Sequence, residues 1–157
     1  MLRLRYFKIF FLIGFGVLVL IQFYQPARNM DEGQVTPLHI TEVLDIPVNV
    51  RQILQTSCYD CHSNNTNYPW YSYIQPGRIL MEYHIKEGKE NLNFSEFGSY
   101  SKRKQENKLD RISKQIKAND MPLRSYTFIH RDSKLSELDK IEIVNWVDKE
   151  MKKKVME

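Results

Sequence analysis

The chain has 157 residues, 42% of them hydrophobic and 27% charged, a composition of one folded domain rather than of a disordered segment. Its 23 Lys and Arg outnumber its 19 Asp and Glu, but Arg3, Arg5, Lys8 and Arg28 all precede the first acidic residue, so residues 29–157 hold 19 of each sign. A neutral folded part lacks the basic surface that phosphate binding needs, which argues against a nucleic-acid partner, and two cysteines are too few for a disulfide-stapled scaffold.

From Ile9 to Ala27 no charge appears, close to the ~20 residues a helix needs to cross a hydrocarbon core of about 30 Å. Residues 1–28 therefore read as an N-terminal anchor, a single transmembrane helix of the inner membrane. The basic residues before it keep the N-terminus in the cytoplasm and place the remainder in the periplasm. A cleaved signal peptide shares the basic start and apolar run, but Gln25-Pro26-Ala27 is a poor cleavage site. Residues 29–40, polar and carrying Gly33 and Pro37, read as a linker that lets a domain of residues 41–157 stand off the membrane, with His39 exposed to solvent.

In that domain the spacing predicts a helix from Pro47 to Gln55, with Val50, Ile53 and Leu54 on one face. A second runs from Arg78 to Glu87 and is ended by Gly88, and a third from Ser101 to Ala118 carries Leu109, Ile112 and Ile116 as its apolar stripe. The last runs from Ser136 to Lys152, with Ser136 as N-cap and Asp139 completing a capping box. No strand pair is predicted, so the fold class is all-α with long loops, the longest from His62 to Gln75.

Cys58-Tyr59-Asp60-Cys61-His62 is C-x-x-C-H, the attachment signature of c-type haem. Two residues between the cysteines let one turn of chain reach both haem vinyl groups as thioethers, and the next residue, His62, falls beneath the iron as its proximal ligand. Three other chemistries use such residues. A thioredoxin-like pair wants a βαβ context with the first Cys opening a helix, whereas here a helix precedes it. A zinc site lacks a second ligand pair, and a disulfide across so short a loop stabilises little. On the iron's distal side Met121, in Asp120-Met121-Pro122, is the first candidate, because a Pro-stiffened loop can present a thioether. The alternative distal ligands are His130 and His84; a Met at a helix end is otherwise core filler.

Tyr68-Pro69-Trp70-Tyr71 is an aromatic cluster expected to pack on the porphyrin or the core, with Trp70 and Trp146 drying the pocket. Residues 101–118 carry seven basic side chains against two acidic ones, a solvated face or a docking surface for an acidic redox partner. Lys152-Lys153-Lys154 reads as a fraying tail.

Taken together, Cys58–Thr66, Tyr68-Pro69-Trp70-Tyr71, Glu87-Gly88-Lys89, Leu92-Asn93-Phe94-Ser95-Glu96-Phe97, Met121-Pro122, Tyr126 and His130 resemble the small haem-binding domain family of cytochrome c-like proteins, over roughly residues 40–150. The resemblance implies a mostly helical cytochrome c-like domain with one covalent haem c, thioethers on Cys58 and Cys61, and proximal ligation by His62. Leu123 stands where a second Pro is common in that family and Phe97 where Trp is common. The expectation is a membrane-anchored mono-haem c-type cytochrome, an electron carrier and not an enzyme, that passes single electrons between redox partner proteins. The first alternative is a haem-based sensor or peroxidase-like module with an open or displaceable sixth position. The second is a tethered interaction domain whose cysteines are merely oxidised.

Overall fold

The structure, a computed structural model, describes residues 2–155, and among them every regular element is helical. The chain divides into two compact units, Met1–Arg28 with Asn67–His84, and Asn29–Thr66 with Ile85–Glu157.

The first unit opens with α1, Leu2–Ile21. Within it the apolar window Arg3–Ile21 has nothing buried inside the protein, so its hydrophobic surface is unpaid by packing. The residues just after it are not loose. The Gln22 side-chain amide accepts from the Gln75 N–H at 2.9 Å and donates to the Gln75 carbonyl at 3.3 Å. The Gln75 amide donates to the Tyr24 carbonyl at 2.6 Å, and the Arg78 guanidinium to the Pro26 carbonyl at 2.6 Å. Arg28 stacks over Tyr73 and Tyr68, 4.6 and 5.7 Å from the ring centres. This clasp joins residues 22–28 to the 3-10 turn Trp70–Tyr73 and to the start of α5, Gly77–Asn91. Burying Arg78 at 2% exposure is tolerable because Glu82 lies 2.9 Å from its Nε. That contact is an ion pair misaligned as a hydrogen bond, and Tyr68 donates its hydroxyl to the same carboxylate at 2.7 Å.

The second unit contains α2 (Ile40–Val43), α3 (Val48–Ser57), α4 (Tyr59–His62), the last turns of α5, α6 (Lys102–Lys117), α7 (Arg124–Ile129) and α8 (Glu137–Val155). α8 packs against α6 and α3. The core between them is Val50 and Leu54 of α3, Leu109 and Ile116 of α6, and Ile143, Trp146 and Val147 of α8, with Ile40, Phe94 and Phe97. These are the positions that helical periodicity selects. Trp146, nearly fully buried, satisfies its indole N–H on the Asp45 carbonyl at 3.1 Å.

Several boundaries follow the caps. Ser101 accepts from the Lys104 N–H at the start of α6. At α8, Ser136 and Asp139 exchange N–H bonds at 2.8 and 3.2 Å, a closed capping box. Several expectations are corrected. α5 does not stop at Gly88 but runs three residues further. His39 is not exposed: it is 8% accessible and caps α2, its Nδ1 accepting from the Thr41 N–H at 3.2 Å. The stretch expected as a free linker is fastened at both ends, through Asn29 and through buried His39 and Ile40. Gly98 explains the second fastening, since a Cβ there would lie 3.0 Å from Leu38 Cα and its N–H donates to the Leu38 carbonyl at 2.7 Å. Trp70 is 75% exposed, so of the two packings expected for it, on the core or on a porphyrin, the core is the one corrected. At the C-terminus, Lys153 is held by Glu150 at 2.8 Å rather than frayed, while the side chain of Lys154 and residues 156–157 lie outside the described residues.

Candidate functional site

The C-x-x-C-H residues form one turn of helix. Cys58 ends α3, donating to the Leu54 carbonyl, and its own carbonyl then accepts from Cys61 at 3.2 Å and His62 at 3.0 Å. The turn is fixed from three sides by polar contacts. Ser63, 2% exposed, donates to the Tyr59 carbonyl at 2.8 Å, and Thr66 donates to the Asp60 carbonyl at 2.6 Å. Asn29 donates to the Ser63 carbonyl at 2.8 Å and to the Thr66 hydroxyl at 2.9 Å, and its own side-chain oxygen takes the Lys89 ammonium. Asn64 receives the Asn93 amide at 2.8 Å and donates to Glu96 at 3.0 Å, while its N–H goes to the Ser95 hydroxyl. The residues around the cysteines in the resemblance, Ser63 to Thr66, Lys89 and Asn93 to Glu96, are thus the frame of this turn.

α5 supplies the rest. At Gly88 an added Cβ would lie 2.4 Å from the Cys61 carbonyl oxygen, so the helix and the turn can touch only where there is no side chain. That approach brings the Gly88 and Leu92 carbonyls to 2.9 and 3.0 Å from His62 Nδ1. Carbonyls only accept, so Nδ1 carries the proton and Nε2 keeps the lone pair. Burial holds the His62 imidazole below its ordinary value, against the pull of the two carbonyls, which favours the neutral ring. Phe94 meets its ring edge-on at 6.2 Å. A metal-ligating histidine anchored through its other nitrogen to backbone carbonyls is the arrangement that fixes ring orientation and raises ligand basicity.

The two thiols differ from those of a redox C-x-x-C pair. Burial, with Cys61 beside it, pushes Cys58 up to about 12, and burial, with Asp60 beside it, pushes Cys61 up to about 11. A disulfide-exchange cysteine needs the opposite shift. Among the described residues no three His, Cys, Asp or Glu side chains converge as a metal site, which leaves the zinc reading without its ligand set. The donors present fit a covalently held haem: two neutral thiols on one turn and one imidazole with its Nε2 lone pair available.

α7, which sequence periodicity missed because six residues are too few to show it, docks beside this turn. Tyr126 donates its hydroxyl to Asp60 Oδ2 at 2.5 Å, and burial with that bond raises the phenol well above its ordinary value. His130 lies flat on Tyr126, ring centres 4.3 Å apart. Met121 is half-buried on the connector between α6 and α7. His84 falls in the first unit, half-buried on α5 with Tyr83 tilted against it at 5.9 Å. On α6 the basic residues are partly occupied: Lys108 and Arg111 reach the carbonyl and side-chain oxygens of Asn91, where α5 ends, and Lys114 pairs with Asp110 at 2.7 Å. Cations at a helix C-terminus are favourable, so part of this charge serves the fold.

No solved structure matches the chain. Cytochrome c peroxidase Ccp of Escherichia coli (strain K12) is 28% identical over 99 residues, 61% of this chain and 21% of the peroxidase, so the chain spans about a fifth of that relative's length. The model of a family described as a haem-binding domain matches residues 16–149, beginning inside α1 and so including the clasp and Asn29. With that match running over most of its length, the chain belongs to the haem-binding domain family.

Proposed function

We propose that the chain is a membrane-anchored mono-haem c-type cytochrome that passes single electrons between redox partner proteins in the periplasm. The observation that carries this is His62: on the turn that also bears Cys58 and Cys61, its Nδ1 is committed to the Gly88 and Leu92 carbonyls, which leaves Nε2 as the nitrogen that would hold the iron. Cys58 and Cys61 would hold the haem as thioethers, and a bound haem would supply the reversible one-electron iron couple. Met121 is the proposed distal ligand, with His130 and His84 as alternatives. In its favour, α6 ends just before it and α7 just after it is pinned by Tyr126 on Asp60. The clasp of residues 22–28 makes them part of a folded unit, which supports α1 as a retained anchor, and Arg3, Arg5 and Lys8 before the apolar run favour a cytoplasmic N-terminus.

The test is the absorption spectrum of the full chain, exported and coexpressed with a haem-attachment system, before and after acid-acetone extraction. Haem that resists extraction and is low-spin, with the long-wavelength Met-to-ferric band lost in Met121→Ala, is the expected result; absence of retained haem overturns the proposal. The same spectra of His130→Ala and His84→Ala decide the ligand if Met121→Ala changes nothing.

The similarity to a cytochrome c peroxidase favours one second reading, a peroxidase-like module with an open sixth position. It requires a high-spin resting spectrum, carbon monoxide binding and peroxide turnover by the unmodified chain.

A further inference from the structure

The first unit carries an apolar surface outside the C-x-x-C-H turn and the residues that frame it. From Asn67 to Met81 the single charged residue is Arg78, which is buried against Glu82. Around it Tyr73, Ile74, Leu80 and Tyr83 are each more than half exposed, and so is Trp70. Contiguous exposed apolar residues of this kind mark an interaction surface. No exposed charge within the segment is available to orient a protein partner.

The clasp fixes what lies next to it. Gln22 follows directly on the last residue of α1 and grips both backbone groups of Gln75. A helix rises 1.5 Å per residue and the layer between hydrocarbon and water is ~5–7 Å deep on each side. Ile74 and Pro76, flanking the gripped residue, are therefore held at the depth of that layer whenever α1 spans. Phe23 and Tyr24, both exposed, continue the surface from the helix side. Trp and Tyr concentrate at this depth because each has an apolar body and a polar edge.

We propose that the segment from Trp70 to Tyr83 docks into the lipid headgroup and acyl boundary of the leaflet that α1 enters, as a second attachment beside the anchor. The inference rests on the reading of α1 as a membrane anchor. Because Ile74 and Leu80 are already exposed, the photoreactive residue p-benzoylphenylalanine can replace either without disturbing a packed core. It would be placed singly at positions 12, 74 and 80 of the full chain, reconstituted in phosphatidylcholine and phosphatidylglycerol bilayer discs. Irradiation followed by intact mass measurement reads lipid adducts, with the far-ultraviolet helical signal as the check on folding. Adducts at all three positions are expected. An adduct at position 12 with none at 74 and 80 overturns the docking while leaving the anchor intact, and a chain without an adduct at position 12 overturns the anchor and the docking together.

Discussion

At Gly88 one missing methyl group decides whether the C-x-x-C-H turn and α5 can meet. Gly88→Ala would ordinarily favour a helix by about 0.8–1 kcal/mol, but the new carbon would sit 2.4 Å from a backbone oxygen that cannot move aside. Overpacking of this kind costs about 1–3 kcal/mol, so the variant is expected to melt earlier and to retain less haem per chain, because the shifted helix withdraws the Gly88 carbonyl from His62. A full haem complement in Gly88→Ala would show that the contact is dispensable. Tyr59 offers the opposite case. Its hydroxyl is buried without a hydrogen-bond partner, its ring lies against Phe94 at 5.2 Å and edge-on to His39 at 5.7 Å, and burial raises its phenol to about 12. An unsatisfied buried hydroxyl costs about 1–3 kcal/mol, so Tyr59→Phe is expected to gain about 1 kcal/mol, read as a higher urea midpoint at unchanged slope. A lower midpoint would mean that the hydroxyl has found a partner in solution.

Among the elements, the short α2 depends on a histidine in one protonation state. His39 Nδ1 accepts from the Thr41 N–H, which only the neutral ring can do, and burial, aided by Arg51 and opposed by Glu42 and Asp31, lowers its pKa from 6.5. The unfolded chain therefore binds a proton that the folded chain refuses. His39 contributes no pH dependence above about 6.5, and stability falls as the pH drops from there toward the folded value. His39→Asn keeps a capping acceptor without the titration; urea unfolding between pH 5 and 8 should show a shallower acid loss in the variant, and parallel curves would refute the assignment. The elements also show how far sequence patterns reach. α3, α6 and α8 were legible because their apolar positions repeat over several turns and Ser101 and Ser136 mark starts. Gly88 was misread because a glycine in a helix can signal a stop or a close approach, and only the neighbouring Cys61 carbonyl distinguishes them; the helical residues after it, Lys89 to Asn91, were the available hint.

For the molecule as a whole, the largest departure from the sequence reading is that residues 22–40 are built in. Asn29 reaches partners 34, 37 and 60 residues away, and polar contacts over such separations leave no periodic trace. The C-x-x-C-H turn itself was legible, since its chemistry depends on local spacing, whereas its frame of Asn29, Asn64 and Asn93 was not. A chain begun at Gln22 keeps the bonds of Gln75 and Arg78 to Gln22, Tyr24 and Pro26, and one begun at Asn29 loses those four while keeping Glu82 and Tyr68 beside Arg78. Each neutral hydrogen bond lost is worth about 0.5–1.5 kcal/mol and the bond from Arg78 more. Limited proteolysis should therefore cut the shorter chain within residues 67–76 at a protease level that leaves the longer one intact. Equal resistance would remove the clasp from the list of forces holding that segment.

If Cys58 and Cys61 hold haem as proposed, the fit of Gly88 over Cys61 would also impose an order of events. In the folded chain both cysteines are half-buried, burial raises the pKa of each thiol, and the α5 backbone stands against the turn that carries them. A chain that closed before its cysteines had reacted would present weaker nucleophiles, with α5 already against them. Under the proposed function, maturation would then be a race between chemistry on an open polypeptide and the docking of a single glycine.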